Sequence, residues 1–184
     1  MSGVQKKGMT KFKRGVFWGR FNPPHKGHVA VIKHLLKHEC DELIVAIGSA
    51  LASHTERNPF SGGERLLMMR DCLRDENLLE KCLIVLVPDA DNYATTAMNL
   101  RVACPPFDAV FTNRPVIADI FKQWGVAVRG FPDFDRGKLQ SALARDALLN
   151  GKKLSEIVPP AVEKYLRENN GLQRLKTCRE DKYA

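Results

Sequence analysis

The sequence predicts a doubly wound α/β domain, a parallel sheet of about five strands with helices on both faces. Three observations carry that expectation. From Gly15 onward, short apolar runs alternate with segments of helical period. Two of the runs, Leu43-Ile44-Val45-Ala46-Ile47 and Leu83-Ile84-Val85-Leu86-Val87, are apolar on both faces, as strands covered by helices on each side should be. The stretches richest in polar residues, Gly and Pro all follow the carboxyl ends of the proposed strands, the edge where open parallel sheets bind ligands.

Taken in order, residues 1–13 lack periodicity and read as a flexible basic arm. The first strand, Gly15–Gly19, leads to a helix over Gly27–Glu39, in which Val29, Ile32, Leu35 and Leu36 share a face largely opposite Lys33, Lys37 and His38. The second, Leu43–Gly48, precedes a helix over Gly62–Asp75 that opens with the capping-box pattern Ser61-Gly62-Gly63-Glu64. Leu83–Val87 is followed by a helix at Thr96–Ala103, Asp108–Thr112 by one at Pro115–Gly125, and Val126–Arg129 is the fifth strand. A helix near Lys138–Asn150, a Gly-Lys-Lys turn and a short helix after Pro159-Pro160 complete a domain over 14–168. The tail, 169–184, is polar, mixed in charge and expected to fray.

Composition narrows the function classes. With 44% hydrophobic and 27% charged residues in 184, the chain is neither disordered nor membrane-spanning, and no apolar stretch approaches the roughly 20 residues a bilayer requires. Five widely spaced cysteines without a CxxC pair suggest reduced thiols in an intracellular, cytoplasmic protein rather than a disulfide framework or a zinc site. The net charge of +8 is localised: the first acidic residue is Glu39, and basic residues from Lys6 to Lys37 precede it. A local polyanion fits such a field better than a nucleic-acid groove.

The strongest chemical signal is Gly19-Arg20-Phe21-Asn22-Pro23-Pro24-His25-Lys26-Gly27-His28, a strand end, a rigid turn and a helix start. His25 and His28, three apart on a first helical turn, project to one side beside the positive end of the helix. With Arg20 and Lys26 adding charge-assisted donors, the geometry favours phosphate and the stabilisation of oxygens that gain charge at a phosphoryl centre. The five strand-end loops, Arg20–His28, Ser49–Phe60, Pro88–Tyr93, Asn113-Arg114 and Gly130–Gly137, are expected to converge on this point. His34 and His38 read as a solvated helix face rather than half a metal site. Asp89 with Asp91, and Asp133 with Asp135, are loop carboxylates explained as well by solvation as by a water-bridged magnesium ion. For Trp18 and Trp124 burial is the default, and Lys152-Lys153 reads as a solvated turn.

The His turn resembles the signature of the nucleotidyltransferase superfamily, a His-x-Gly-His motif after the first strand of a Rossmann-like sheet. It is more closely similar to archaeal-type nicotinamide-nucleotide adenylyltransferases, which read Gly-Arg-Phe-x-Pro-x-His-x-Gly-His here. Ile47-Gly48-Ser49-Ala50, Ser53-His54-Thr55 and Asn58-Pro59-Phe60-Ser61-Gly62-Gly63-Glu64-Arg65 resemble that family's loop after the second strand. Val87-Pro88-Asp89, Pro105-Pro106-Phe107-Asp108, Thr112-Asn113-Arg114-Pro115 and Ile157-Val158-Pro159-Pro160-Ala161-Val162 extend the likeness, which covers roughly Arg14 to Leu166.

The resemblance implies adenylyl transfer from ATP, with magnesium bound to it, to nicotinamide mononucleotide or nicotinic acid mononucleotide, giving a dinucleotide and pyrophosphate in a homo-oligomer. It assigns catalysis to His25, His28, Arg20 and Arg145, with His28 the transition-state group. Gly19, Phe21, Gly27 and Ser141 would join the ATP site, with Asn113 and Arg114 towards the adenine or ribose. Ser49, His54, Asn58, Phe60, Asp89 and Tyr93 would line the acceptor side. Two positions depart from the family. Gln140-Ser141-Ala142-Leu143-Ala144-Arg145 replaces its phosphate-holding Ser-Gly-Thr-x-Ile-Arg, keeping the arginine. Thr96 stands roughly where the family has a tryptophan that stacks on nicotinamide, with Tyr93 nearby as the alternative. Two rival readings stay open: another small phosphate acceptor such as phosphopantetheine, or a catalytically impaired nucleotide- or RNA-binding relative.

Overall fold

Val16 and Phe17 are neighbours in the first strand yet belong to different cores, and the architecture follows from that alternation. The computed structural model describes residues 10–135 and 137–181. Strands β1 (Phe12–Gly19), β2 (Cys40–Ile47), β3 (Cys82–Leu86), β4 (Ala109–Phe111) and β5 (Ala127–Arg129) form one parallel sheet in the spatial order β3-β2-β1-β4-β5. On one face Phe17, Leu43, Val45 and Ile47 pack against helix α1 (Lys26–His38) and helix α2 (Gly62–Asp75) through Ile32, Leu35, Met69 and Leu73. On the other, Val16, Ile44, Ala46 and Val110 meet helices α3 (Tyr93–Ala103) and α4 (Pro115–Gln123) through Ala97, Leu100, Ile117 and Phe121. Each such aliphatic or aromatic side chain stabilises the fold by roughly 1.5–3 kcal/mol when fully buried.

A third cluster closes the domain beyond α1 and α2. Helices α5 (Ser141–Leu149), α6 (Pro160–Glu168) and α7 (Gly171–Glu180) contribute Ala144, Ala147, Val162, Leu166 and Leu175 to it, against Val29, Met68 and Cys72. The tail that composition reads as frayed from Asn169 is therefore ordered as α7. Its polarity is one-sided, since Leu175 and Cys178 are buried while Arg174 reaches Glu64 of α2 at 3.3 Å. Gly171 is required where it stands, because a Cβ there would lie 2.9 Å from the Leu166 carbonyl oxygen.

The other differences are at boundaries. The β1 strand starts at Phe12, inside the expected arm, because the Phe12 N–H donates to the Glu39 carbonyl at 2.8 Å and its ring lies under the Arg129 guanidinium, 4.3 Å away. Residues 1–9 of that arm lie outside the described residues. The β2 strand starts at Cys40, directly after α1, and α3 begins at Tyr93, where the Asn92 side chain accepts the Thr95 N–H. Among the described residues no helix is long and apolar enough to cross a membrane. Strand β1 has β2 on one side and β4 on the other, so the chain reverses its winding there and opens a crevice at the carboxyl ends of β1 and β4.

Candidate active site

Two adjoining clefts occupy that crevice. The first, about 710 Å³, runs from the His turn past Asn113 and Phe131–Phe134 to the start of α5. The second, about 870 Å³, lies over the loops after β2 and β3. Trp18, Gly19, Arg20, Arg57, Thr112 and Arg114 line both and form the wall between them. The expected convergence of strand-end loops is thus present.

The His turn is held from three directions. Asn22 is buried, with its amide donating to the Phe60 carbonyl at 2.9 Å and accepting the Phe60 N–H at 3.2 Å. From α5, Ser141 Oγ donates to the Pro23 carbonyl and Arg145 Nη1 to the Asn22 carbonyl, both at 2.8 Å. From the segment before α6, Ile157 accepts the Lys26 N–H at 2.9 Å, and the Lys26 ammonium turns away from the clefts to the Ser155 carbonyl at 2.6 Å. Lys26 is therefore an anchor, although its sequence position suggests a phosphate donor.

Within this frame the two imidazoles stack, with ring centroids 3.5 Å apart and planes 27° from parallel, and Phe21 meets His28 edge-on at 4.6 Å. The His25 N–H donates to His28 Nδ1 at 3.2 Å, so Nδ1 is the unprotonated nitrogen and the ring proton belongs on Nε2. Burial lowers the His25 pKa from 6.5 to about 4. For His28, burial first and the adjacent His25 second push it well below its ordinary value. Both rings are neutral at pH 7. Gly27 admits the His25 ring, because a Cβ there would sit 3.0 Å from His25 Nδ1.

Around the neutral pair the charge is positive and crowded. The Arg20 pKa is lowered by burial and then by Arg57, with Arg114 adding to the effect and Asp89 opposing it. Arg145 is lowered by burial and then by Arg20, with Glu56 opposing and Arg57 adding. Guanidiniums that depress one another in this way form a site for a polyanion. Arg57 is absent from the residues singled out by sequence, although it sits in the Ser49–Phe60 loop between two that were. A long cation flanked by the turn residues of that loop was the available signal.

Arg65 is a second residue that sequence reading passed over as a site component. It is fully buried and donates to the carbonyls of Arg20, Gly48 and Ser49, each at 2.7 Å, and of Ser61 at 3.1 Å. These carbonyls flank Phe21 and Ser49, two non-glycine residues in left-handed conformation at φ 50° and 51°. One guanidinium thus fixes the loops after both β1 and β2, and burial lowers its pKa to about 10. Trp18, expected to be buried, is half-buried: it packs against the core of Val16, Ile44 and Val110 and also lines both clefts, and Gly48 leaves room for its indole, whose Nε1 a Cβ would approach to 2.5 Å.

The remaining sequence-derived positions divide. Gly19, Arg20, Phe21, His25, Gly27, His28, Asn113, Arg114, Ser141 and Arg145 all line the first cleft. Ser49, Asn58, Asp89 and Tyr93 line the second, where Asp89 accepts the Ser49 N–H at 3.0 Å. Phe60 and His54 line neither: Phe60 is 2% exposed within the third core, and His54 turns to Ser53 Oγ at 3.0 Å on the surface. Asn113 spends its amide on the backbone of Phe131, donating at 2.8 Å and accepting at 3.0 Å, and so holds the rim of the cleft. Thr96 is buried, with its hydroxyl donating to the Asn92 carbonyl at 2.9 Å, while Tyr93 stands half-exposed in the second cleft. Among the described residues no three His, Cys, Asp or Glu side chains gather as a metal site.

Comparison with known proteins settles the family. The cytidylyltransferase-like family model matches residues 16–155. A protein of Caldivirga maquilingensis, described as a nicotinamide-nucleotide adenylyltransferase, is 41% identical over 165 residues, covering 89% of this chain and 92% of that one. The chain belongs to the cytidylyltransferase-like family, in its nicotinamide-nucleotide adenylyltransferase branch. A Pyrobaculum arsenaticum protein of the same description is 37% identical, covering 90% and 93%. A crystal structure of a bifunctional NMN adenylyltransferase/ADP ribose pyrophosphatase from Francisella tularensis superposes with a TM-score of 0.74 at 20% identity. That match covers 94% of this chain and only 54% of the longer one, and shows a shared fold. As a family member the chain is a nucleotidyltransferase.

Proposed function

We propose that this protein transfers the adenylyl group of ATP to the phosphate of nicotinamide mononucleotide, releasing pyrophosphate and forming NAD. The observation that carries the reading is the neutral His25–His28 pair, which lines the first cleft with Arg145, beside Arg20 and Arg57 in the wall shared with the second. The first cleft would take ATP, with its triphosphate passing the His turn towards Ser141, Arg145 and the amide groups that open α5. Although Gln140–Arg145 lacks the family's glycine and threonine, a helix N-terminus and an arginine remain, and these suit β- and γ-phosphates. The second cleft would take the mononucleotide, its phosphate meeting the α-phosphate at Arg20 and Arg57.

In the reaction a phosphate oxygen of the acceptor attacks the α-phosphorus. The bond from that phosphorus to the α–β bridging oxygen breaks, and pyrophosphate leaves with the bonding pair. The nucleophile is already anionic, so no general base is needed, and positioning with electrostatic stabilisation supplies the rate. With Nδ1 engaged, the His28 Nε2–H is left to donate to an α-phosphate oxygen as it gains charge. A neutral donor serves because the surrounding guanidiniums already supply the positive field. Magnesium fits as part of the MgATP substrate, which it would accompany and whose phosphate charge it would screen.

Buried free thiols, among them Cys40, Cys72 and Cys82 with pKa values raised by burial to about 12, support a cytoplasmic setting. Edge strand β3, which leaves Leu83 and Leu86 more than a third exposed, supports a homo-oligomer. The test of function is NAD and pyrophosphate formation from ATP, magnesium and nicotinamide mononucleotide, beside a His28→Ala control. Formation by the natural sequence alone is the expected result. RNA binding that weakens with salt, without pyrophosphate release, would instead favour the impaired relative.

A further inference from the structure

Among the described residues none beyond Arg145 lines either cleft, so α7 lies outside the site. One carboxylate nevertheless ties that helix to the His turn. Glu64 Oε2 accepts the Ser61 N–H at 2.8 Å, closing the cap of α2, and also accepts from Arg174 Nη1 of α7 at 3.3 Å. The Glu64 and Arg174 side chains are only 19% and 29% exposed, and burial first and Glu64 second raise the pKa of the neighbouring Tyr165 on α6. The other ion pair that α7 makes with the site loops, Arg179 with Glu56 at 3.9 Å, is mostly exposed at both ends and contributes little. Ser61 passes the restraint on in two directions. Its carbonyl accepts both the N–H and Nε of Arg65, each at 3.1 Å, and Arg65 holds the carbonyls of Arg20, Gly48 and Ser49. Its chain neighbour Phe60 exchanges two hydrogen bonds with Asn22 of the His turn. A Glu64 carboxylate without Arg174 would gain by turning to water, and the Ser61 N–H would lose its acceptor.

We infer that Arg174 is a positioning residue for the transfer site: it holds Glu64 against Ser61, and thereby sets, through Arg65 and Phe60, where Arg20 and the His turn stand. The inference rests on the adenylyl-transfer reading and gives α7 a part in substrate affinity beyond covering the core.

The test measures kcat and KM for ATP and nicotinamide mononucleotide, with melting temperatures alongside, in the natural protein and in Arg174→Met, Arg174→Lys, Glu64→Gln and the Arg174→Met/Glu64→Gln double variant. Loss of one charge-assisted hydrogen bond at the head of the relay should raise both KM values by about fivefold in Arg174→Met. Arg174→Lys, which keeps a cation for a single oxygen, should recover most of that loss. Glu64→Gln keeps a capping side chain without its charge and should fall in the same range as Arg174→Met. The double variant should be no worse than either, since the two residues act as one contact. Arg179→Met is the control and should change each constant by less than about twofold. A lower melting temperature in Arg174→Met with KM unchanged would reduce Arg174 to packing and overturn the proposal. Losses that add in the double variant, or an equal loss in Arg179→Met, would overturn it too. Where Arg174→Met does not fold, the neutral Arg174→Gln replaces it, and KM values no higher than those of Arg174→Lys would end the proposal. If the natural protein makes no NAD, the transfer reading fails on its own. Calorimetric titration of ATP then decides the positioning role, weaker binding in Arg174→Met that Arg174→Lys restores supporting it and equal affinity across the set ending it.

Discussion

The histidine turn and the outer wall of the second cleft are both strand-end regions, yet they are built in opposite ways. In the turn, Phe21 and Asn22 are almost fully buried, His25 is 9% exposed, and α5 and the 155–157 segment anchor the backbone. In the wall of the second cleft, Asp89, Tyr93 and Arg114 are exposed, and Arg114 donates to the Tyr93 hydroxyl. Groups that act on charge developing at phosphorus must be fixed before the reaction, because reorganisation at that moment would raise the barrier. Groups at an exposed cleft wall rest on surface chemistry alone, and can differ between relatives without disturbing the core.

The comparison is best broken at its rigid end. His28→Ala removes the proposed transition-state donor, and kcat should fall by about 10²–10³ with ATP affinity nearly unchanged, as steady-state kinetics beside nucleotide titration would reveal. A parallel loss of ATP binding would assign His28 to the ground state. Next comes Arg65→Met, which leaves carbonyls of both strand-end loops without donors and should lower stability by about 3 kcal/mol, read from denaturant melts. Where the variant remains folded, KM for both substrates should rise, since Arg20 and Ser49 lose their support. Arg65→Lys should rescue poorly, because an ammonium cannot span carbonyls that a planar guanidinium reaches together.

Acid should act on the same turn. His25 has its pKa lowered by burial from 6.5 to about 4, so between those values the unfolded chain takes up a proton that the folded one refuses. Its contribution is fully present above about pH 6.5, is lost as pH falls towards about 4, and amounts to about 3 kcal/mol. His25→Gln should flatten that part of a stability–pH profile. Ser141→Ala is the smallest change: it removes one hydrogen bond to the Pro23 carbonyl, and an effect of about 1 kcal/mol on stability is expected. A larger rise in KM for ATP than in any other constant would sharpen the placement of α5 on the triphosphate.

What the sequence made legible follows from how local each signal is. The strands, the helices and the His turn are written in contiguous residues, and Ser61–Glu64 forms the reciprocal cap its spacing predicts. The α7 helix was not, because its three apolar side chains are diluted among polar and charged ones and only packing against α2, α5 and α6 buries Leu175 and Cys178. Nor was the role of Arg65, whose acceptors are backbone carbonyls, some of them 45 and 17 positions away, and leave no trace in side-chain identity. Phe60 misled in the opposite sense: its loop reaches the cleft, but the ring follows the helix into the core. Trp18 sits at a strand end where the face that should be covered by a helix is open to ligand.

The anchoring of Lys26 has a consequence for synthesis. Its N–H and ammonium are both satisfied by residues 155–157, so a histidine turn specified within the first 28 residues gains its last partners only after more than a hundred others have left the ribosome. No amino-terminal fragment ending before that segment should hold the histidines in register, however well its sheet forms. Truncations ending at 150, which retain every residue lining the clefts, should therefore lack activity, and assays of nascent chains stalled at increasing lengths should show it arriving late and in one step.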